Sequence, residues 1–144
     1  MRTRIKRGLN LPVSGVPDQA IVDGPVVDRV AVLGRDYVGL KPTMLVQEGD
    51  RVRLGQPLFT DKTNPDVAVV APAGGTIRKI RRGARRVLQS VNINVDEHEE
   101  EQTFRQWPAD RLYSISRGDV VSELLASGLW TSFRTRPYSK VPRP

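Results

Sequence analysis

The sequence lacks most of the residues from which redox and hydrolytic sites are built. It contains no cysteine, which excludes disulfides, thiol catalysis and cysteine-ligated iron–sulfur or zinc sites within these 144 residues. Its one histidine, His98, lies in an acidic run, where we expect it to be exposed. No G-x-G-x-x-G motif for a dinucleotide is present. We therefore expect no catalytic residue and no metal site in this chain.

Long apolar runs are also missing. No run approaches the roughly 20 residues that span a bilayer. The basic start MRTRIKR leads into a loop-forming stretch with Pro12, so we expect no secretory signal. With 38% hydrophobic and 27% charged residues, the composition is typical of a soluble protein with one core and at most a short appendage.

The net charge of +7 is unevenly distributed. Residues 1–90 hold 16 basic against 8 acidic residues, and residues 91–144 hold 7 against 8. The densest basic run lies in residues 78–86. Three interpretations of this run are open: a solvated hairpin, a nucleic-acid site and a docking surface. No aromatic residue interleaves the run, so we expect no nucleic-acid partner. The docking candidates, for an acidic protein face or anionic headgroups, are Arg78, Lys79, Arg81, Arg82, Arg85 and Arg86.

Residues 46–80 carry the strongest fold signal. Two glycine turns, at Gly49-Asp50 and Gly55-Gln56, separate short apolar segments, and a third turn is expected at Gly83. Glycine followed by a polar residue suits tight turns that need a positive φ. Turns this dense predict a small, strongly bent β-structure and not a parallel α/β sheet.

The remaining elements are predicted from local patterns. Strands are expected at residues 3–7, 19–22 and 26–33, and at residues 87–95, where Val87, Gln89, Val91, Ile93 and Val95 would share one face. Residues 36–40 fit either a turn presenting Tyr37 or the start of a strand.

After Trp107 the residue pattern favours helices. Pro108 suits the first position of a short helix reaching Leu112, and Ser116 caps a second helix that Gly128 ends. The second helix is predicted to bury a stripe formed by Val120, Val121, Leu124 and Leu125. The fold class is therefore mainly β (α+β), with a β-rich domain at residues 1–106 and a helical segment and tail at residues 107–144 that lead toward a next domain.

The central pattern resembles the biotinyl/lipoyl-type fold, the flattened barrel called a barrel-sandwich hybrid. The matching positions are Val46, Gly49-Asp50, Val52, Gly55-Gln56, Leu58, Ala71-Pro72, Gly75 and Ile77. Carriers with this fold hold a modified lysine at a hairpin tip. Lys62 lies in the corresponding loop, but its neighbours Asp61, Thr63, Asn64 and Pro65 differ from those of carriers, so a solvated turn lysine is favoured over a biotinyl or lipoyl carrier.

Collinear motifs resemble a more specific family, the N-terminal region of the A subunit of the sodium-translocating NADH:quinone oxidoreductase (Na+-NQR). The motifs include KRGLNLP at residues 6–12, DYVG at 36–39, KPTM at 41–44, NP at 64–65, RVLQSV at 86–91, SGLWT at 127–131 and SKVP at 139–142. The departures are modest: Asp66, Gly74 and Tyr138 stand where the family favours other residues. The C subunit of the related Rnf electron-transport complex shares the glycine turns and is an alternative.

This resemblance implies a role without its own catalytic site. It implies a peripheral subunit on the cytoplasmic side of the bacterial inner membrane, structural and associated with ubiquinone. NADH, flavins and iron–sulfur centres would be bound by other subunits, which are the expected partners.

The tail, residues 129–144, is the predicted quinone-facing surface, because aromatic rings can sandwich a flat headgroup and cations can donate to its oxygens. Packing of these aromatics against a further domain is the alternative. The candidates are Trp130, Phe133, Arg134, Arg136, Tyr138 and Lys140, with Tyr37 and Val38 closing the other side.

Overall fold

The computed structural model describes residue 8, residues 14–98 and residues 100–144, and it contains two antiparallel sheets. The larger sheet is ordered β1 (Arg29–Leu33), β7 (Leu88–Val95), β6 (Gly75–Arg82) and β3 (Arg51–Val52). The smaller sheet is ordered β2 (Pro42–Met44), β4 (Pro57–Asp61) and β5 (Asn64–Val70). The predicted mainly β architecture is confirmed.

The hydrophobic core lies between the two sheets. Phe59 and Leu58 of β4 meet Ile77 of β6 and Val91 and Ile93 of β7, and all five side chains are fully buried. Burying such side chains contributes about 1.5–3 kcal/mol each relative to exposure. These two sheets and the turns between them are called the barrel below.

Two of the three predicted glycine turns have the expected backbone. The φ angles of Gly49 and Gly55 are 93° and 82°. In each turn the next side chain closes the loop: Asp50 accepts from the Gln47 amide at 2.8 Å, and Gln56 accepts from the Arg53 amide at 3.1 Å. The Gly-Asp and Gly-Gln pairs therefore form equivalent turns.

The expectation for Gly83 is wrong. Its φ is −93°, and the left-handed conformations fall on Arg85 and Arg86 instead, with φ of 54° and 62°. The hairpin closes through a 3-10 helix at Ala84–Arg86, so the chain reverses direction about two residues later than predicted. A Cβ at Gly83 would lie 2.7 Å from Nε2 of Gln89, the end of a flexible and exposed side chain that can move away.

The described residues before β1 contain less strand than the sequence predicts. The strand expected at residues 3–7 lies outside the described residues. Residues 19–22 form no strand, and Ile21 is 99% exposed. The strand expected at residues 26–33 begins only at Arg29, where pairing with Asn94 of β7 starts, and Val26 is 97% exposed. Apolar, β-branched residues without a neighbouring strand do not form a ladder.

Strand β7 forms as predicted, but only some of the residues that were predicted to share one face do so. Val91 and Ile93 point into the core as expected, whereas Leu88 and Ser90 are buried and Val87 and Gln89 are exposed. The register explains the change, because Ser90 pairs with Arg81 while Leu88 pairs with the adjacent Arg82. An extra residue of this kind shifts the inward face by one position.

The helical segment follows the predicted capping of the second helix but not the predicted burial. Pro108 lies at the N-cap of a 3-10 helix at Ala109–Ser114, one position before the helix and not at its first position as predicted, and the helix is longer than expected. Helix α1 (Arg117–Ala126) begins after Ser116, whose hydroxyl accepts from the Asp119 amide at 3.1 Å, and it ends before Gly128 in the left-handed conformation. The predicted buried stripe is wrong: Val120 is exposed, and Val121, Leu124 and Leu125 are half-buried, because only one side of α1 contacts the barrel. Neither α1 nor any 3-10 helix among the described residues is long and apolar enough to cross a membrane.

Candidate functional site between the barrel and the tail

A cavity of about 340 Å³ lies between the barrel and the tail, residues 129–144. Its apolar walls come from the loop after the 3-10 helix Gly34–Asp36, from β5 and from the tail: Tyr37, Val38, Leu40, Val67, Val69 and Val141. Its polar groups are mostly cationic and amide side chains: Lys41, Asn64, Lys140 and Arg143, with Asp61, Thr63 and Thr131. Small-molecule sites combine apolar surface with convergent polar groups, and in this cavity the polar residues are about as numerous as the apolar ones.

One backbone carbonyl of the tail accepts a hydrogen bond from the barrel and another from the start of the tail itself. The side-chain amide of Asn64 and the indole N–H of Trp130 both donate to the Pro142 carbonyl, at 2.9 Å and 3.0 Å. We call this arrangement the Pro142 clasp. Asn64 is only 8% exposed, so the clasp satisfies a buried polar group that would otherwise be costly. The clasp thereby positions Lys140, Val141 and Arg143 as one wall of the cavity.

Close packing holds the tail at a second point. Gly128 is buried beneath β5, where a Cβ would lie 2.7 Å from a methyl group of Val70. Its φ of 73° turns the chain from α1 into the 3-10 helix Leu129–Ser132. Glycine is therefore required at position 128 both by conformation and by space.

Tyr37 contacts both the hydrophobic core and the cavity. Its ring meets Phe59 edge-on at 6.2 Å between centroids, and the Arg134 guanidinium lies 5.5 Å from its ring centre. Burial raises the pKa of the Tyr37 phenol above its ordinary value, and the nearby Asp36 adds to this, although Arg134 and a hydrogen bond with Thr131 oppose it. The phenol is therefore protonated at neutral pH and available as a hydrogen-bond donor.

The structure brings together some of the predicted quinone-facing residues and separates others. Tyr37, Val38 and Lys140 line the cavity, and Arg134 lies beside Tyr37 and donates to the Asp36 carbonyl at 3.4 Å. The other four lie outside the lining. Trp130 takes part in the clasp and meets Phe133 edge-on at 5.2 Å, while Arg136 and Tyr138 are exposed.

Sequence reasoning missed several lining residues on the barrel side. Lys41 and Asn64 stand at the cavity, but the sequence singles them out only as members of the KPTM and NP motifs. Their place in those motifs is a usable signal. A lone lysine and a lone asparagine lack the aromatic and cationic clustering that pointed to the tail.

The predicted docking residues all lie on the hairpin that joins β6 to β7, and all six are exposed. Lys79 pairs with Glu48 at 3.4 Å, and Arg82 donates to the Arg86 carbonyl at 3.4 Å. We call this set the basic hairpin: Arg78, Lys79, Arg81, Arg82, Arg85 and Arg86.

Lys62 and His98, two other residues considered from the sequence, are both exposed. Lys62 is exposed in the two-residue turn between β4 and β5, where its amide donates to the Lys41 carbonyl. His98 is exposed, and within the described ranges no group of three or more acidic, histidine or cysteine residues is arranged to hold a metal.

Comparison with known protein families gives two adjacent matches. Residues 3–96 match the family model described as the NqrA N-terminal barrel-sandwich hybrid domain. Residues 115–144 match the model described as the NqrA second alpha/beta domain. The predicted barrel-sandwich hybrid is thus confirmed, and the cavity is lined by residues from both matched regions.

Curated relatives carry the same description. The chain is 56% identical over 142 residues to the A subunit of the Na(+)-translocating NADH-quinone reductase of Serratia proteamaculans, and 55% identical over 141 residues to that of Pseudomonas aeruginosa. It is 54% identical over 138 residues to the same protein of Pasteurella multocida. These alignments cover 96–98% of the chain but 31–32% of the relatives, so the chain spans about a third of their length.

Proposed function

Because this chain belongs to the NqrA family, we propose that it forms the N-terminal domain of the A subunit in a sodium-pumping NADH:quinone reductase. In this proposal residues 1–106 are a structural unit, and residues 107–144 lead into the second, alpha/beta domain. The protein is peripheral on the cytoplasmic side of the bacterial inner membrane, where it contacts other subunits of the complex. The cavity beneath the tail receives the headgroup of ubiquinone.

The cavity is the observation that carries the quinone assignment. Its volume of about 340 Å³ lies within the usual range for small-ligand sites, and a single flat ring is a small ligand. Val38, Leu40, Val67 and Val69 offer apolar surface to the ring faces. Its position between the two family-matched regions is also typical, because ligand pockets favour domain interfaces.

The polar groups around the cavity match a ring with two carbonyl acceptors. Lys41, Lys140 and Arg143 are donors that carry positive charge, and the protonated phenol of Tyr37 is a neutral donor. Hydrogen bonds from charged donors strengthen as negative charge develops on the acceptor. The site would therefore hold a reduced, more negative headgroup more firmly than the neutral one.

The chain itself supplies binding and position, not electron transfer. As the family resemblance implies, NADH, flavins and iron–sulfur centres would be held by other subunits of the enzyme. The residues of this chain orient the headgroup and exclude water from its faces. In this proposal none of them is a catalytic residue.

A photoreactive quinone analogue tests the proposal on the full-length protein. We expect labelling of peptides that contain residues 37–41, 61–69 or 140–143, and suppression of the label by excess quinone. Labelling confined to other peptides, or labelling that excess quinone does not suppress, would refute the assignment.

Two matched pairs of variants sharpen this test. Tyr37→Phe removes the phenol hydroxyl at the cavity, while Tyr138→Phe removes one that is exposed and outside the lining. Lys140→Gln removes a cavity cation, while Lys62→Gln removes a turn cation. The first member of each pair should weaken competition by quinone about fivefold or more, since one hydrogen bond to a ligand is worth about 1 kcal/mol. The second member should leave it unchanged.

A further inference from the structure

The basic hairpin presents an unusual density of unpaired positive charge. Among the described residues, Arg78, Arg81, Arg85 and Arg86 have no carboxylate within 4 Å. Elsewhere on the surface several arginines are paired: Arg29 with Asp28, Arg51 with Asp96, Arg53 with Glu100 and Arg105 with Asp119. The hairpin charges are therefore available to an external anionic partner.

The backbone at the hairpin tip is tightly turned, and the arginine side chains of the hairpin are exposed. A hydrogen bond of 2.8 Å from the Gly83 amide to the Val87 carbonyl closes the tip. Arg85 and Arg86 both have positive φ, a conformation that costs residues other than glycine about 1 kcal/mol or more. Val87 follows directly and is 63% exposed. The hairpin thus combines one exposed aliphatic side chain with five guanidinium groups that have no carboxylate partner in the described part of the chain, those of Arg78, Arg81, Arg82, Arg85 and Arg86.

The composition of this surface fits a lipid headgroup layer better than a protein. Specific protein interfaces depend on a few buried anchors, commonly tryptophan, tyrosine or arginine, which pack in desolvated pockets. Residues 75–95 contain no aromatic anchor, and the arginines at the tip are exposed. Association with an anionic membrane needs only clustered Lys or Arg and shallow apolar contact.

We propose that the basic hairpin docks on the anionic lipid surface of the membrane. The proposal deepens the proposed function and depends on it in one respect, since it requires a protein that works beside a membrane. Arg78, Arg81, Arg85 and Arg86 contact the headgroup phosphates, and Val87 contacts the boundary of the acyl region. The contact orients the barrel relative to the bilayer and adds to its attachment through other subunits.

Vesicle co-sedimentation tests this with the full chain. Wild-type protein should bind vesicles of phosphatidylethanolamine and phosphatidylglycerol but not vesicles of phosphatidylcholine alone. Binding should weaken steeply as salt is raised, because the screening length falls from about 10 Å at 0.1 M to about 3 Å at 1 M. No binding to the anionic vesicles would overturn the proposal.

The key variant replaces Arg78, Arg81, Arg85 and Arg86 by Gln and keeps the bonds of Lys79 and Arg82. The matched control replaces Arg29, Arg51, Arg53 and Arg105 by Gln and therefore has the same net charge. The four arginines of these pairs are exposed, so loss of the pairs affects stability little, which circular dichroism can check. The hairpin variant should bind anionic vesicles roughly 600-fold more weakly than wild type, since each of the four cations near the surface contributes a factor of about five. The control should lose at most a few-fold.

The remaining outcomes are also decisive. Equal losses in both variants would show that net charge alone attracts the chain, and would overturn a dedicated hairpin site. Binding to poly-glutamate without binding to anionic vesicles would assign the surface to an acidic protein and overturn the lipid assignment. Quinone labelling of the detergent-solubilised hairpin variant should persist, so failure of the lipid proposal and failure of the quinone proposal give separate results.

Discussion

Glycine at position 49 holds the chain in a backbone conformation that other residues avoid. Its φ is 93°, and a Cβ at this position would meet no atom within 4 Å. Any cost of adding a side chain is therefore conformational and not steric. A left-handed conformation costs an alanine about 1–2 kcal/mol.

We predict that Gly49→Ala lowers the free energy of unfolding by about 1–2 kcal/mol. Gly24→Ala is the matched control, because that glycine also has open space around it but lacks a positive φ. The control should leave stability unchanged or raise it slightly, since alanine restricts the unfolded chain. Urea unfolding followed by circular dichroism measures both. Equal effects in the two variants would contradict a conformational role for Gly49.

At the scale of elements, the turn around Gly49 acts as a substitute strand beside β6. Strand β3 pairs with β6 only through Arg51 and Val52. Beyond them, the Gly49 amide donates to the Ile77 carbonyl and the Ile77 amide donates to the Asp50 carbonyl, both at 2.8 Å. The Glu48 carboxylate then accepts from the Ile80 amide at 2.9 Å. The ladder thus continues through a side chain where the strand has ended.

This carboxylate makes the stability of the barrel depend on pH. The hydrogen bond from the Ile80 amide, helped by Lys79, lowers the pKa of the Glu48 carboxyl in the folded chain. A carboxyl whose pKa is lower in the folded than in the unfolded chain stabilises the fold above its unfolded pKa. That contribution is lost as the pH falls through the folded value.

We therefore predict that Glu48→Gln lowers the melting temperature at pH 7, and that the difference from wild type shrinks as the pH falls below about 4.3. Glu97→Gln is the control, because Glu97 is exposed and makes no ion pair within the part of the chain that is described. Melting curves recorded across this pH range measure the effect. A difference that stays constant in acid would mean that Glu48 does not act through its charge.

At the scale of the whole molecule, the Pro142 clasp decides whether the cavity exists. The wall formed by Lys140, Val141 and Arg143 flanks the Pro142 carbonyl, which accepts from both Asn64 and Trp130. A further contact, from Arg143 to the Thr63 carbonyl, is long at 3.4 Å and exposed. Release of the clasp would open the cavity along one side.

We predict that Trp130→Phe, which removes the indole donor but keeps an aromatic ring, speeds tryptic cleavage after Lys140 about fivefold. This corresponds to the loss of one hydrogen bond worth about 1 kcal/mol in the closed state. Asn64→Ala should act in the same direction. Trp107→Phe is the control, since the Trp107 ring stacks under Arg105 and takes no part in the clasp. Cleavage unchanged in the Trp130 and Asn64 variants would show that packing alone holds the tail.

Several features that follow from short-range rules were determined by the sequence alone, although the same glycine rule failed at Gly83. The turns at Gly49 and Gly55, the Ser116 cap and the Gly128 stop depend on neighbouring residues and glycine's freedom of φ, so the printed order of residues sufficed. Motifs such as KRGLNLP and SGLWT also identified the family. These features do not require knowledge of what lies across the fold.

Tertiary structure alone decided which faces are buried and which residues form the cavity. The bulge at Gln89 reversed the inward face at the start of β7. Ile21 and Val26 are exposed because they pair with no strand in the part of the chain that the structure describes. Lys41, Asn64 and Lys140 are up to 99 residues apart in the chain and meet only because the tail folds back over β5. Strand register and long-range contacts depend on pairing between distant segments, which periodicity within one segment does not specify.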